Sequence, residues 1–404
     1  MTGALSERVG AAAGVDFGRA PDDVVHPESA EEVAAAIERA SARGLGVLPV
    51  ASGRRVRVGL LDRPYILLHT GKLTGIDIYE PADLTLTARA GTSLAELGER
   101  LGAQRQWLPF DPPHVGDRSL GGLVATGDSG PAWMGYGELR NHVLGMTVVT
   151  GDGRILRLGG RVVKNVAGFD LLKPMVGSRG RLAVITSVCV RAFPVPAEDR
   201  LLVLRAAGPR ELCDVARAVG TAPVLPVSSV LVASARALDG GAALLVRLHG
   251  ALPTVEADQR TLERHCGVTF ERPADPSALL AEARDAASTG PSLVISVLPS
   301  RLPEALAAIA GALGNGSGSV ELAADTYMGR IRAALTPADA TAASSLRTAV
   351  ERLGGSLSVH VARNGAGVGG QAPAGSAPAG AEADLVAGLV RAFDPSGVFW
   401  PCRS

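Results

Sequence analysis

The chain is 404 residues long, and its 40 Lys and Arg are balanced by 40 Asp and Glu, a formal net charge of zero. That balance argues against a general polyanion binder, which needs a surplus of cations. The 47% of apolar residues argues against a disordered chain. At roughly 150 residues per domain the length points to two domains or one large one. Glycine is abundant at 50 residues while aromatic residues make up only 3%, so an aliphatic core with many tight turns or close backbone approaches is expected.

Four cysteines, Cys189, Cys213, Cys266 and Cys402, are scattered with neither CxxC nor zinc-type spacing. They do not form a disulfide framework and fit a reducing compartment. No basic stretch followed by a long apolar run opens the chain, and no apolar run approaches the length of a membrane span. A cytoplasmic protein with no direct membrane span is therefore expected.

Residues 1–20 read as a loose tail. Ser29-Ala-Glu-Glu32 is a capping box opening a helix that Gly44 can end. Val47–Val50 reads as a short strand running into a small-residue turn, Ala51 to Arg55, and Tyr65–His69 as another strand. Residues 84–90 alternate apolar and polar, the pattern of a half-buried strand. Ser93-Leu-Ala-Glu96 is a second capping box. Residues 108–137 are the most heavily punctuated stretch, and Thr150-Gly-Asp-Gly153 between two apolar runs predicts a hairpin. Residues 182–191 form a β-branched strand.

Past Pro194 and Pro196 the texture changes. Strands at 201–205 and 244–249 and helices at 209–219, 277–287 and 302–313 predict a second α+β unit. A helix at 336–353, a strand at 357–361 and a helix at 382–393 follow, with a low-complexity Gly/Ala/Pro loop at 364–381 between the last two. Within that loop Gly365-Ala-Gly-Val-Gly-Gly370 matches GxGxxG literally, but no helix opens on its third glycine, so it is read as coincidence.

Three clusters carry candidate chemistry. In Ser119-Leu-Gly-Gly-Leu-Val-Ala-Thr-Gly-Asp-Ser-Gly130, Ser119 can cap a helix whose paired glycines either expose N–H groups to an anion or let a neighbouring strand approach closely. In the turn Pro49–Arg55, Arg54 and Arg55 either face a phosphate or are simply solvated. In Val163-Lys164-Asn-Val-Ala-Gly168-Phe-Asp170, Lys164 and Asp170 are either site residues or a surface lysine and a helix cap.

The order DPP, SLGGLVATGDSGP, VVTGDGRI, VVKNVAGFDL, GSRGRLAVITSV resembles the FAD-binding domain of the vanillyl-alcohol oxidase / p-cresol methylhydroxylase (PCMH) superfamily, and more narrowly the FAD-binding E subunits of bacterial glycolate oxidases. The resemblance covers roughly residues 22–200, and KNVAGFD is its most specific marker. It implies an α+β fold: a PCMH-type domain of two α/β subdomains over 21–198, a smaller α+β cap or substrate domain over 199–345, and a C-terminal return over 346–404. It implies FAD held without a covalent bond, because no His or Cys stands in the first loop.

Carried over by position, Val50, Ala51, Ser52, Gly53, Arg54 and Arg55 form the first pyrophosphate loop. Ser119, Gly121, Gly122, Ala125, Thr126, Ser129 and Gly130 line the second loop and the flavin. Gly168 falls in a turn near the cofactor, and Val184 and Ile185 offer backbone groups to the adenine side. The implied activity is oxidation of a small 2-hydroxy acid such as glycolate, with a larger flavin subunit and an iron–sulfur subunit as partners and no nucleic acid. The catalytic residues are not assigned; Arg247, His249 and His114 are candidates, with structural roles the alternative.

The chain departs from the family pattern at Ala51, where glycine is usual, at Arg54, where Ser or Thr is usual, and at Ala183, Trp400 and Cys402. Two other readings therefore stand beside the first: a non-catalytic scaffold subunit with a degraded FAD site, and a stand-alone FAD-linked oxidase.

Overall fold

The computed structural model describes residues 20–51, 63–160, 170–233, 241–286, 292–313, 320–335, 340–360 and 381–399. Ser52, Gly53, Arg54, Arg55, Lys164, Gly168, residues 1–19 and 364–380, Trp400 and Cys402 lie outside them.

The first unit is a small parallel sheet. Strands β1 (Asp23–Val25), β2 (Gly46–Val50) and β3 (Tyr65–His69) lie in the order β1-β3-β2, with helix α1 (Ala30–Ala42) between β1 and β2 in sequence. The expected capping box starts α1: Ser29 Oγ accepts from Glu32 N at 3.1 Å. Val33 and Ile37, four apart and hence on one face, pack with Val47 and Leu68.

The second unit holds an antiparallel sheet in the order β4-β5-β9-β7-β8. Its strands are β4 (Ile76–Glu80), β5 (Thr85–Arg89), β7 (Val143–Thr150), β8 (Ile155–Gly159) and β9 (Ala183–Arg191). Between β5 and β7 come helix α2 (Leu94–Gly102), the two-residue strand β6 (Gln106–Trp107), helix α3 (Leu120–Thr126) and the short helix α4 (Trp133–Tyr136). Another short helix, α5 (Leu172–Met175), precedes β9, and β10 (Phe193–Pro194) pairs with β6. The predicted hairpin is β7–β8, turning at Gly153 with φ +80°. Asp170 lies just ahead of α5, its Oδ1 accepting from Leu172 N at 3.2 Å.

The third unit is a seven-stranded, wholly antiparallel sheet, β11-β13-β12-β15-β16-β14-β17. Its strands are β11 (Glu198–Ala206), β12 (Ser228–Ala233), β13 (Ala242–Gly250), β14 (Ser292–Ser296), β15 (Leu322–Asp325), β16 (Arg330–Ala334) and β17 (Ser356–His360). Helices α6 (Cys213–Thr221), α7 (Leu252–Cys266), α9 (Leu302–Leu313) and α10 (Ala340–Arg352) contribute residues to the core on one face. Helix α8 (Pro276–Asp285) packs Leu279 and Ala283 on the other. Because β17 belongs to this sheet, the unit runs past the boundary expected at residue 345.

The final helix, α11 (Ala381–Phe393), sends the chain back to the first two units. Phe393 enters the core of the second unit and Val398 and Phe399 that of the first. Asp394 holds this return: its carboxylate oxygens accept from Val398 N and Phe399 N, each at 2.9 Å.

Candidate cofactor and substrate site

Helix α3 is positioned by its start and its end. Ser119 Oγ accepts from Gly122 N at 3.2 Å, the expected cap. Gly127 closes the helix in the left-handed region with φ +64°. The Gly177-Ser-Arg-Gly180 turn then crosses that end, with Gly177 N donating to Val124 O at 2.9 Å and Arg179 N to Ala125 O at 2.7 Å. Two of the carbonyls a helix terminus leaves unpaired are satisfied in this way. Gly180 in turn sits against Pro49, where an added Cβ would lie 3.0 Å from Pro49 Cγ. Pro49 to Ala51, the 177–180 turn and α3 are thus neighbours, although more than 120 residues separate the first from the second.

The paired glycines need a correction. Gly121 is buried, its N–H donates to Ala90 O at 2.8 Å, and an added Cβ would lie 2.5 Å from Ala90 Cβ. Close packing against the end of β5 is what requires glycine there. The Gly122 N–H is taken by Ser119. Neither amide is left to meet a phosphate. Gly122, Ala125 and Thr126 do form the half-buried face of α3, small enough for a ligand to lie along it.

The free backbone donors come one loop later: Ser129 N and Gly130 N have no acceptor among the described residues. Gly130 must be glycine, because a Cβ would overlap the carbonyl of Asp111. Asp111 is half-buried and accepts from Ala132 N, and desolvation of its carboxyl pushes it above the usual range.

Thr126, Gly127, Ser129 and Gly130 open onto a cavity of about 430 Å³. One wall comes from the second unit, including Trp133, Glu138, Arg140 and Gly177. The opposite wall is the third unit's sheet and α8, with Ala283, Asp325, Met328, Arg330 and Arg332. Ser119, Gly121, Gly122 and Ala125 do not line it. Val184 and Ile185 are buried in β9, in the cores of the first and second units respectively. The ladder of β9 with β5 ends at Ser187, whereas that with β7 runs on to Ala183. Val184 and Ile185 therefore lie where one edge of β9 has left its neighbour.

The cavity is strongly charged. Arg330 and Arg332 stand two apart on β16 and face the cavity, while Ile331 and Ala333 enter the core behind. Arg332 Nη1 donates to Arg284 O at 2.9 Å, and Arg330 Nη2 lies 3.8 Å from Asp128 Oδ1. Asp128 is itself held by buried Arg118, Nη1 to Oδ2 at 3.0 Å, and Arg118 Nη2 also donates to Thr126 Oγ1 at 2.9 Å. Arg140 pairs with Glu138 at 2.5 Å. Asp325, across the ladder from Arg330, is pushed up to about 6, chiefly by burial.

The three other candidates lie elsewhere. Arg247 clamps Asp199 with two hydrogen bonds of 2.8 and 2.5 Å. His249 Nδ1 shares a 2.9 Å hydrogen bond with Tyr136 OH, and its Nε2 lies 3.1 Å from Asp199 Oδ1, off the line a good hydrogen bond needs. His114 N donates to Asp285 Oδ1 at 2.8 Å. His249 and His114 join the third unit to the segment between β6 and β7, Arg247 pairs within the third unit with its guanidinium 5.9 Å from the Trp107 ring of β6, and none of the three lines the cavity. Asp325, Arg330 and Arg332 escaped the sequence reading. The alternation Arg-Ile-Arg-Ala in 330–333 is the signal that would have found the two arginines.

Comparison with known proteins agrees with this layout. Residues 21–159 match the family model for an FAD binding domain. The chain is 46% identical to glycolate oxidase subunit GlcE of Escherichia coli over 123 residues, 30% of this chain and 35% of that one. It is 36% identical to a D-lactate dehydrogenase of Archaeoglobus fulgidus over 184 residues (45% and 41%) and 26% identical to glycolate oxidase subunit GlcD of Bacillus subtilis over 262 residues (61% and 55%). The chain thus spans between about a third and about half of these relatives' lengths. A solved structure of alkyldihydroxyacetonephosphate synthase superposes with a TM-score of 0.70 at 15% identity, over 96% of this chain and 77% of that one. That likeness extends the shared α+β fold through the third unit. The donors at Ser129 and Gly130, the small face of α3 and the arginines can meet anionic groups, and residues 21–159 of the chain match an FAD binding domain.

Proposed function

We propose that this chain is the FAD-holding subunit of a cytoplasmic assembly that oxidises a small 2-hydroxy acid, glycolate or a close relative. The observation that carries this reading is the cavity between the FAD domain and the third unit, with backbone donors on one wall and Arg330 and Arg332 on the other. A guanidinium recognises a carboxylate through two parallel hydrogen bonds, so these arginines hold the substrate carboxylate. The names of the relatives, glycolate oxidase subunits and D-lactate dehydrogenases, support the substrate class.

FAD, when bound, supplies a two-electron acceptor. The chain's own part is to hold the cofactor without a covalent bond: no His or Cys occurs between Val50 and Asp62. The electrons then pass to a larger flavin subunit and an iron–sulfur subunit. The scattered cysteines cannot hold a cluster, and no metal-binding group of side chains occurs among the described residues. No helix among them is long and apolar enough to cross a membrane, so any membrane association runs through the partners.

The scaffold reading keeps one observation in its favour: among the described residues no His, Cys, Lys or Tyr lines the cavity. Anaerobic mixing of the FAD-loaded chain with glycolate, D-lactate and D-2-hydroxyglutarate separates the two readings. Loss of oxidised-flavin absorbance with at least one acid supports the enzyme; a flavin that no acid reduces supports the scaffold.

A further inference from the structure

Oxidising a 2-hydroxy acid requires a base for the hydroxyl proton, and the cavity offers few. Its titratable lining residues are Glu138, Arg140, Asp325, Arg330 and Arg332. Glu138 is half-buried and committed to Arg140. Asp325 is half-buried, at the end of β15, in the turn that leads to β16. Both hydrogen bonds to its side chain, from Tyr327 N at 3.0 Å and Met328 N at 2.9 Å, end on Oδ1. Oδ2 accepts no hydrogen bond among the described residues and is not among the sealed polar atoms.

We propose that Asp325 is the catalytic base of the hydroxy-acid oxidation, taking the substrate hydroxyl proton on Oδ2 while Arg330 and Arg332 hold the carboxylate. This rests on the oxidase reading above. In the step, the O–H bond breaks and its proton goes to Asp325. The α C–H bond would break, its hydrogen and electron pair passing to the two-electron acceptor that FAD would supply when bound. The carbon–oxygen bond becomes a carbonyl, and a 2-oxo acid leaves.

The surroundings suit the role. Burial and the nearby Asp111 raise the carboxyl; the amides of Met328 and Tyr327 and the Arg330 guanidinium on β16 act against them, leaving it at about 6. Asp128 from the loop after α3 approaches Arg330, and the Glu138–Arg140 pair completes the charged wall. A base with a pKa near the working pH is ionised yet strong enough to take the proton. Asp325 is ionised above about pH 6, so reduction speeds up as pH rises through that value.

Asp325→Asn tests the proposal on the full chain, FAD-loaded and with any subunit that co-purifies. The amide oxygen can accept from Tyr327 N and Met328 N as Oδ1 does, so the turn is kept and only the base is lost. Flavin reduction should fall ~10²- to 10⁴-fold, the usual worth of a general base, with the rise near pH 6 removed. Independently of turnover, oxalate, which cannot be oxidised in this way, should take up a proton on binding near pH 6 in the wild type and none in the variant, read by calorimetry in two buffers of different ionisation heat. Asp325→Ser, whose hydroxyl can also accept from the turn, repeats the test should the Asn variant misfold. A variant that reduces at the wild-type rate with an unchanged pH profile overturns the assignment of Asp325 alone. A wild-type flavin that no 2-hydroxy acid reduces overturns the oxidase reading and this proposal together.

Discussion

Gly121→Ala distinguishes packing from phosphate binding at the paired glycines. The new methyl would stand 2.5 Å from Ala90 Cβ and 2.9 Å from Ala90 O, against an ordinary carbon–carbon contact of ~3.5–4.0 Å. Ala90 cannot withdraw cheaply, because its N–H donates to Thr186 O and its carbonyl accepts from Gly121 itself. Overpacking of this kind costs ~1–3 kcal/mol. For a unit of this size that corresponds to a fall of roughly 2–4 °C in melting temperature per kcal/mol. Gly122→Ala is the control: its methyl would meet only the Ser119 hydroxyl, at 3.0 Å, and its amide is already used by the cap. Differential scanning fluorimetry of the two apo variants should show a drop of several degrees for Gly121→Ala and about a degree or less for Gly122→Ala. Equal melting temperatures, with loss of FAD in Gly121→Ala alone, would refute the packing argument and restore Gly121 as a direct phosphate contact.

Gly122→Asp places a carboxylate on the half-buried face of α3 and should abolish FAD retention while the chain remains soluble, checked by flavin content after gel filtration. Arg118→Met leaves buried Asp128 without its main partner and should destabilise by ~3–5 kcal/mol, read by thermal unfolding. For Asp199, burial raises the carboxyl but the two hydrogen bonds and the charge of Arg247, with His249 close by, outweigh it, so it titrates below the usual range. Its stabilisation is fully present above the ordinary Asp value of ~4 and is lost as pH falls through its lower folded value; the melting-temperature gap between wild type and Asp199→Asn should therefore shrink between pH 7 and pH 3. Arg330→Gln should weaken oxalate binding by ~10-fold or more, measured by calorimetry, since it removes a charged partner worth ~1.5–3 kcal/mol.

Much of the FAD domain was legible because its signals are local. Ser29 and Ser93 cap as their boxes predict, and Tyr65–His69 is a strand to the residue. The third unit was harder for a physical reason. Strand β12 is covered on both faces, with Leu231 and Ala233 in one core and Val230 and Val232 in the other, so it shows no alternation. Helix α7 buries only Val255, Gln259 and Leu262, a stripe too narrow and too polar to stand out.

The cavity was legible on one side only. Thr126, Ser129 and Gly130 come from a dense motif, whereas Arg330 and Arg332 are marked only by a four-residue alternation and Asp325 reaches the same space through a ladder register that no local pattern announces. Gly121 shows the converse: a motif glycine whose reason, the approach of Ala90, is visible only in three dimensions.

The most direct test of the account is the flavin content of the purified full chain, released by denaturation and measured against protein. About one FAD per chain is predicted, bound tightly enough to survive gel filtration and released intact without proteolysis. A chain that carries no FAD, even after incubation with excess cofactor, would contradict the account at its centre.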